Sequence, residues 1–181
     1  MRFIFKLIFK ISGWKIIGDV PRELKKYIII VAPHTSNWDF PIGVAVRSIM
    51  AFKANFLGKK ELFESSMGWL FKKLGGLPVD RSRSTNMVDE VVKVIEKVDY
   101  FVVAMAPEGT RKKTKRWKTG FYYIATKAKI PIVMVGFDYP SKSIIWAEPF
   151  YPGGDLNKDA QVFDSFFKDK MGKNGKAAPV L

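Results

Sequence analysis

His34 is the only histidine among 181 residues, and Asp39 follows it in the stretch VAPHTSNWDF, residues 31–40. An imidazole beside a carboxylate can work as a general base with its orienter. The carboxylate holds the tautomer and steadies the imidazolium, and the second ring nitrogen stays free to take a proton. On an unbroken helix, residues five apart sit about 140° out of line, so the two can meet only if His34 precedes a helix and Asp39 lies in its first turns. The local pattern allows this. The aliphatic run 27–32 reads as a strand that ends at Pro33, and Thr35, Ser36 and Asn37 are helix-capping types. His34 is therefore expected on a strand-to-helix turn at the carboxyl edge of a sheet, where open α/β sheets hold their ligands. By itself such a pair also fits a structural hydrogen bond. No G-x-S-x-G elbow supplies a nucleophile, and Ser36 lies too near His34 in sequence to be an obvious partner. The hydroxyl that His34 would deprotonate is thus expected on the substrate.

A second constellation could hold an anion. In APEGTRKKTKRW, residues 106–117, Gly109 permits close backbone approach, Thr110 offers a hydroxyl and Arg111 offers a planar fork suited to phosphate. The lysines that follow, with Arg116 and Lys118, form a positive mouth that would steer anions. Alone, that run also reads as a solvated basic loop. GGLPVDR, residues 75–81, puts Arg81 at another strand end, where a second guanidinium could share the anion.

The surrounding chain fits a single α/β domain. With 48% hydrophobic residues it can bury one core. Cysteine is absent, which excludes disulfides, thiolate nucleophiles and Cys-bound zinc, and one histidine leaves no His-rich metal site. Segments 27–32, 54–58, 76–80, 100–106, 130–139 and 143–150 are short and mostly apolar, as buried strands are. Helical patterns separate them at 40–52, 65–75, 84–98 and 118–128, with another at 159–171. The alternation predicts a largely parallel sheet covered by helices on both faces. The expected division is an interfacial helix at 1–12, the domain proper at 13–172 and a flexible tail at 173–181.

Thirty-one Lys plus Arg against 17 Asp plus Glu give a net charge of +14, which concentrates anionic partners. No apolar stretch approaches the roughly 20 residues of a membrane span. Residues 1–12 instead place Arg2, Lys6 and Lys10 in a narrow basic stripe on an otherwise greasy helix, suited to lying in a headgroup plane. Docking on the domain's own core is the other reading. A nucleic-acid-binding module would also explain the charge, but it needs aromatics among Lys and Arg on an exposed sheet, and these strands are continuously apolar. A non-catalytic binder of anionic membranes leaves His34 and Asp39 without a role.

The blocks HTSNWD, GGLPVDR, APEGTR and AKIPIVMVGFDY, in this order, resemble the glycerolipid acyltransferase family typified by 1-acyl-sn-glycerol-3-phosphate acyltransferase. The likeness spans roughly residues 14–150. His34 and Asp39 fall on the family's H-x-x-x-x-D, and Glu108, Gly109, Thr110 and Arg111 on its P-E-G-T-R. Arg81 falls in a phosphate-contacting place and Pro131 in the fourth block. Pro33, Ala106 and Lys112 depart from the residues common at those positions. The resemblance implies His34 as base, Asp39 as orienter, and Arg81 with Gly109, Thr110 and Arg111 anchoring the acceptor's phosphate. Glu108 would order Arg111 or bind the glycerol. The implied donor is acyl-CoA or acyl-carrier protein, with no resident cofactor or metal, and the implied acceptor is lysophosphatidic acid. Another lysophospholipid, an amino-acid lipid or a glycolipid remains the alternative. The implied location is peripheral, on the cytoplasmic face of a bacterial inner membrane, with no nucleic-acid partner. Trp38, Phe40, Trp69, Phe71 and Phe121 are candidates to line an acyl groove, although aromatics at helical spacing more often belong to a core.

Overall fold

β2 (Lys26–Ala32) is the central strand because its run of isoleucines and valine suits a pleated surface buried on both sides. Tyr27 and Ile29 face one side of the sheet, and Ile28, Ile30 and Ala32 face the other. The structure is a computed structural model that describes residues 2–79, 87–111, 114, 116–179 and 181.

The other strands are β1 (Lys15–Ile17), β3 (Asn55–Lys59), β4 (Gly76–Val79), β5 (Phe101–Met105), β6 (Ile132–Asp138) and β7 (Ser143–Trp146). The seven form one sheet in the order β1-β7-β6-β2-β5-β3-β4. Every neighbouring pair is parallel except β6 with β7. The mostly parallel sheet expected from the sequence is therefore present, with β1 added at its edge. β1 has only three residues, too few to show a period.

Helices cover both faces. α1 (Arg2–Ser12) and α2 (Asp39–Met50) lie on the side of Tyr27 and Ile29, contributing Phe9, Ala45, Val46 and Met50 to that core. α5 (Met87–Lys97), α6 (Gly120–Ala128) and α7 (Leu156–Phe167) cover the opposite side through residues such as Ile95, Phe121 and Phe163. Full burial of such a side chain is worth about 1.5–3 kcal/mol. α7 starts at Asp155, whose carboxylate accepts the main-chain N–H groups of Asn157 and Lys158 and so satisfies donors that the helix leaves open.

Two segments differ from expectation. The helix expected over 65–75 is present as the shorter α4 (Gly68–Lys73), and a further short helix not expected from the sequence, α3 (Lys60–Glu64), comes just before it, separated by a tight break. The break is steric: a Cβ on Gly68 would lie 2.0 Å from the carbonyl oxygen of Phe63, so the chain folds back tightly where only glycine fits. Residues 173–181, expected as a flexible tail, make specific contacts. Gly172 N donates to Lys176 O at 2.8 Å, and Asn174 Nδ2 donates to Thr35 O at 3.0 Å. Gly172 sits against the Thr35 side chain so closely that a Cβ would meet its hydroxyl at 2.3 Å. These contacts depend on a glycine and an asparagine at particular places.

Candidate active site

The sheet register brings three loops to one edge. β2 pairs in parallel with β5, placing Ile30 opposite Met105, and with β6, placing Ala32 opposite Gly136. The residues just beyond these strands therefore leave the sheet side by side: His34 after β2, Glu108 after β5 and Tyr139 after β6. This is the carboxyl edge.

At that edge, Asp39 opens α2 and is 4% exposed. Its Oδ2 lies 2.9 Å from His34 Nδ1 and accepts the N–H groups of Thr35 and Ser36, each at 2.9 Å. Its Oδ1 accepts the Tyr139 hydroxyl. Burial alone would raise the pKa of this carboxyl, but the hydrogen bonds from His34, Tyr139 and Ser36 outweigh it and hold the value below the usual one. The acid therefore stays ionised at neutral pH. An ionised acceptor at Nδ1 selects the tautomer with its proton there, which leaves the Nε2 lone pair available.

Glu108 stabilises the same turn from the other side. Its Oε1 accepts the main-chain N–H of His34 at 2.7 Å, and the residue is 5% exposed. Burial, reinforced by the charge on Asp39, pushes the Glu108 carboxyl up to about 7, against the lowering influence of the His34 N–H. The sequence reading has Glu108 ordering Arg111 or binding the acceptor's glycerol; in the structure its Oε1 contacts the backbone that carries His34. Gly109 follows at φ 67°, a left-handed conformation, with Lys118 carbons packed where a Cβ would lie. Its N–H donates to Ala106 O at 3.0 Å, and Lys118 N donates to Pro107 O at 2.9 Å, which closes the turn that carries Thr110 and Arg111.

His34 and Asp39 border a cavity of about 560 Å³ that extends between α2 and the sheet. Arg111 stands on its wall with Arg47, Asn37 and Asn55, and most of the lining is apolar, including Val46, Phe52, Val135, Phe137 and Trp146. Phe40 and Phe71 contribute to the lining, packed edge to face at 5.6 Å. Of the other aromatics singled out from the sequence, Trp38 and Trp69 are exposed, and Phe121 lies in the core on the opposite face. His34, Asp39 and Arg111 thus meet at one cavity, and Glu108, Gly109 and Thr110 build the adjoining turn. Arg81 lies outside the described residues. Among those described, no three His, Asp or Glu side chains cluster as a metal site requires.

Tyr139 is the site residue that sequence reasoning missed. The only available signal was its position, immediately after the aliphatic run that becomes β6. Trp14 packs edge-on against its ring at 5.1 Å, which fixes the direction of the hydroxyl.

Residues 15–138, which contain both β2 with its histidine turn and the P-E-G-T-R turn, match the family model described as Acyltransferase. The chain belongs to the acyltransferase family. The fold of this acyltransferase is similar to the crystal structure of the 1-acyl-sn-glycerophosphate (LPA) acyltransferase from Thermotoga maritima. The TM-score is 0.59, covering 95% of this chain and 80% of that one at 18% identity. No curated protein matches the chain. Tyr139, α7 and residues 172–181 of this acyltransferase lie beyond the matched span.

Proposed function

We propose that this protein is a glycerolipid O-acyltransferase that moves a fatty acyl group from the thioester of acyl-CoA or acyl-carrier protein to the free hydroxyl of 1-acyl-sn-glycerol-3-phosphate. One observation carries this reading: a histidine paired through Nδ1 with a buried carboxylate borders an apolar cavity on whose wall an arginine also stands.

His34 Nε2 accepts the proton of the acceptor hydroxyl as that oxygen attacks the thioester carbonyl. The tetrahedral intermediate then collapses, the C–S bond breaks, and the departing thiolate takes the proton from the imidazolium. Asp39 stabilises the cationic ring throughout. Base catalysis of this kind supplies about 10²–10⁴-fold, and positioning in a water-poor cavity supplies further acceleration. The mostly apolar lining of the cavity suits the acyl chain, and Arg111 suits the acceptor's phosphate.

A membrane-surface location fits α1, whose outward side is apolar, with Phe3 and Ile11 each 78% exposed beside the exposed cations Arg2, Lys6 and Lys10. No described helix is long and apolar enough to cross a membrane. The proposed site of action is the cytoplasmic face of a bacterial inner membrane, where lysolipid acceptor and thioester donor meet. The decisive experiment compares wild type with His34→Ala for transfer from acyl-CoA to lysophosphatidic acid and for liposome binding. Loss of transfer with binding intact is expected. Surviving transfer would refute His34 as the base.

A further inference from the structure

Beyond the span matched to the family, the chain returns to the His34 turn. After α7, residues 171–177 form a small closed loop. Met171 and Ala177 pair as an antiparallel bridge, Gly172 N donates to Lys176 O at 2.8 Å, and Gly175, at φ 66°, donates its N–H to Gly172 O at 3.0 Å. The shape of the loop is thus set by its own main chain.

This loop touches two turns at the carboxyl edge of the sheet. On one side, Tyr139 N donates to Met171 O at 2.9 Å, and Met171 N donates to Asp138 Oδ1 at 3.1 Å. On the other, Asn174 Nδ2 donates to Thr35 O at 3.0 Å, and Gly172 is seated on the Thr35 side chain. Lys173 Nζ lies 4.9 Å from the ring centre of Trp38, the residue before Asp39.

The same two turns are joined by the Asp39 carboxylate. Its Oδ2 takes His34 Nδ1 and the N–H groups of Thr35 and Ser36, and its Oδ1 takes the Tyr139 hydroxyl. The Thr35–Ser36 peptide is therefore gripped at both ends, its N–H by Asp39 and its C=O by Asn174. Hydrogen bonds in such a chain polarise one another, so the Asn174 bond makes the Ser36 N–H a better donor to the carboxylate that orients His34. The Thr35 side chain acts by shape: its hydroxyl has no hydrogen-bond partner among the described residues, and Gly172 leaves room for it where any Cβ would overlap it.

We propose that Asn174 and Gly172 are positioning residues for the His34–Asp39 pair. Asn174 orients the Thr35–Ser36 peptide toward the carboxylate, and Gly172 sets the depth at which the His34 turn rests. The effect on kcat rests on the acyl-transfer reading above, whereas the effect on the imidazole does not.

His34 is the only histidine, so full-length protein carrying isotope-labelled histidine reports this ring alone by nuclear magnetic resonance. Asn174→Ala and Asn174→Leu both remove the donor, the second keeping bulk in its place. In each, exchange of the His34 Nδ1 proton with water should quicken about fivefold, as for loss of one neutral hydrogen bond. Transfer from acyl-CoA to lysophosphatidic acid should lose about tenfold in kcat, as for a slightly misplaced base. Both KM values should stay within about twofold, because neither Asn174 nor Gly172 lines the His34 cavity. Gly172→Ala should act in the same direction. Adding Thr35→Ala removes the hydroxyl and methyl that the new Cβ meets, and should recover about half or more of the lost kcat. Faster imidazole exchange with unchanged kcat would uphold the positioning role and remove His34 as the base. A wild type that failed to acylate lysophosphatidic acid would refute the acyl-transfer reading and leave the imidazole arm to decide. A lower melting temperature with imidazole exchange and kcat unchanged, a kcat loss without any change at the imidazole, or no recovery in the double variant overturns the proposal.

Discussion

The Tyr139 hydroxyl donates to Oδ1 of Asp39 across 100 residues of sequence, on the oxygen opposite the one that faces His34. This bond uses the lone pairs that the histidine turn leaves over, so the carboxylate is bound on both sides and cannot rotate away from the imidazole. Tyr139 thus positions His34, the proposed base, by acting through Asp39.

Tyr139→Phe removes that donor and keeps the ring against Trp14. Stability should fall by about 1.5–3 kcal/mol, as for a lost bond to a charged group. The folded pKa of Asp39 is depressed, so its contribution is complete above the unfolded value near 3.9 and is lost as pH falls through the lower folded value. Without the tyrosine bond that folded value rises. The acid unfolding midpoint, followed by circular dichroism, should therefore move to higher pH. An unchanged midpoint would show that Tyr139 does not sustain the ionised carboxylate.

Glu108 has the opposite linkage. The folded protein keeps this proton up to about pH 7, whereas the unfolded chain releases it near 4.3. Between those values the native state binds more protons than the unfolded state, so stability falls as pH rises. Glu108→Gln keeps an oxygen for the His34 N–H and abolishes the titration. Melting temperatures measured from pH 5 to pH 8 should decline less in Glu108→Gln than in wild type. Glu108→Ala should instead melt lower at every pH, since the His34 N–H loses its acceptor. Parallel curves for Glu108→Gln and wild type would contradict the raised pKa.

The legible parts of this fold are those in which chemistry is local. The aliphatic runs of β2, β5 and β6 announce buried parallel strands, and the polar run after Pro33 puts His34 ahead of the helix that Asp39 begins, although the N-cap of that helix is Trp38, without a side-chain cap, rather than one of the capping types Thr35, Ser36 or Asn37. What could not be read depends on register or on close backbone contact. Tyr139 reaches Asp39 because Gly136 pairs with Ala32, and nothing in either local sequence states that pairing. The break between α3 and α4 likewise follows from the packing of Gly68 on Phe63, not from periodicity.

That packing gives a steric prediction. A methyl group at position 68 would overlap the Phe63 carbonyl oxygen at 2.0 Å, and this oxygen is backbone that cannot swing aside. Gly68→Ala should therefore cost more than the 1–3 kcal/mol typical of overpacking, visible as a lower denaturation midpoint. As a control, Gly43→Ala lies in α2 with no neighbour within 4 Å of the new methyl, and it should be neutral or stabilising by about 1 kcal/mol. Equal midpoints for the two variants would refute the steric account of the α3–α4 break.

The membrane attachment proposed for the outward face of α1 can be tested separately from folding. Phe3 and Ile11 contribute little to the core, whereas Phe9 on the same helix is buried against the domain. Phe3→Asp combined with Ile11→Asp should leave the melting temperature nearly unchanged while removing about 1.5–3 kcal/mol of apolar insertion per side chain and adding two anionic groups. Cosedimentation with vesicles containing anionic lipid should then fall at least tenfold. Transfer to a short-chain, water-soluble acceptor should persist, because the two positions do not line the His34 cavity. Phe9→Asp is the contrasting variant, expected to lower the melting temperature. If the double variant still binds vesicles as wild type does, the exposed side of α1 is not the attachment surface and the basic charge acts elsewhere.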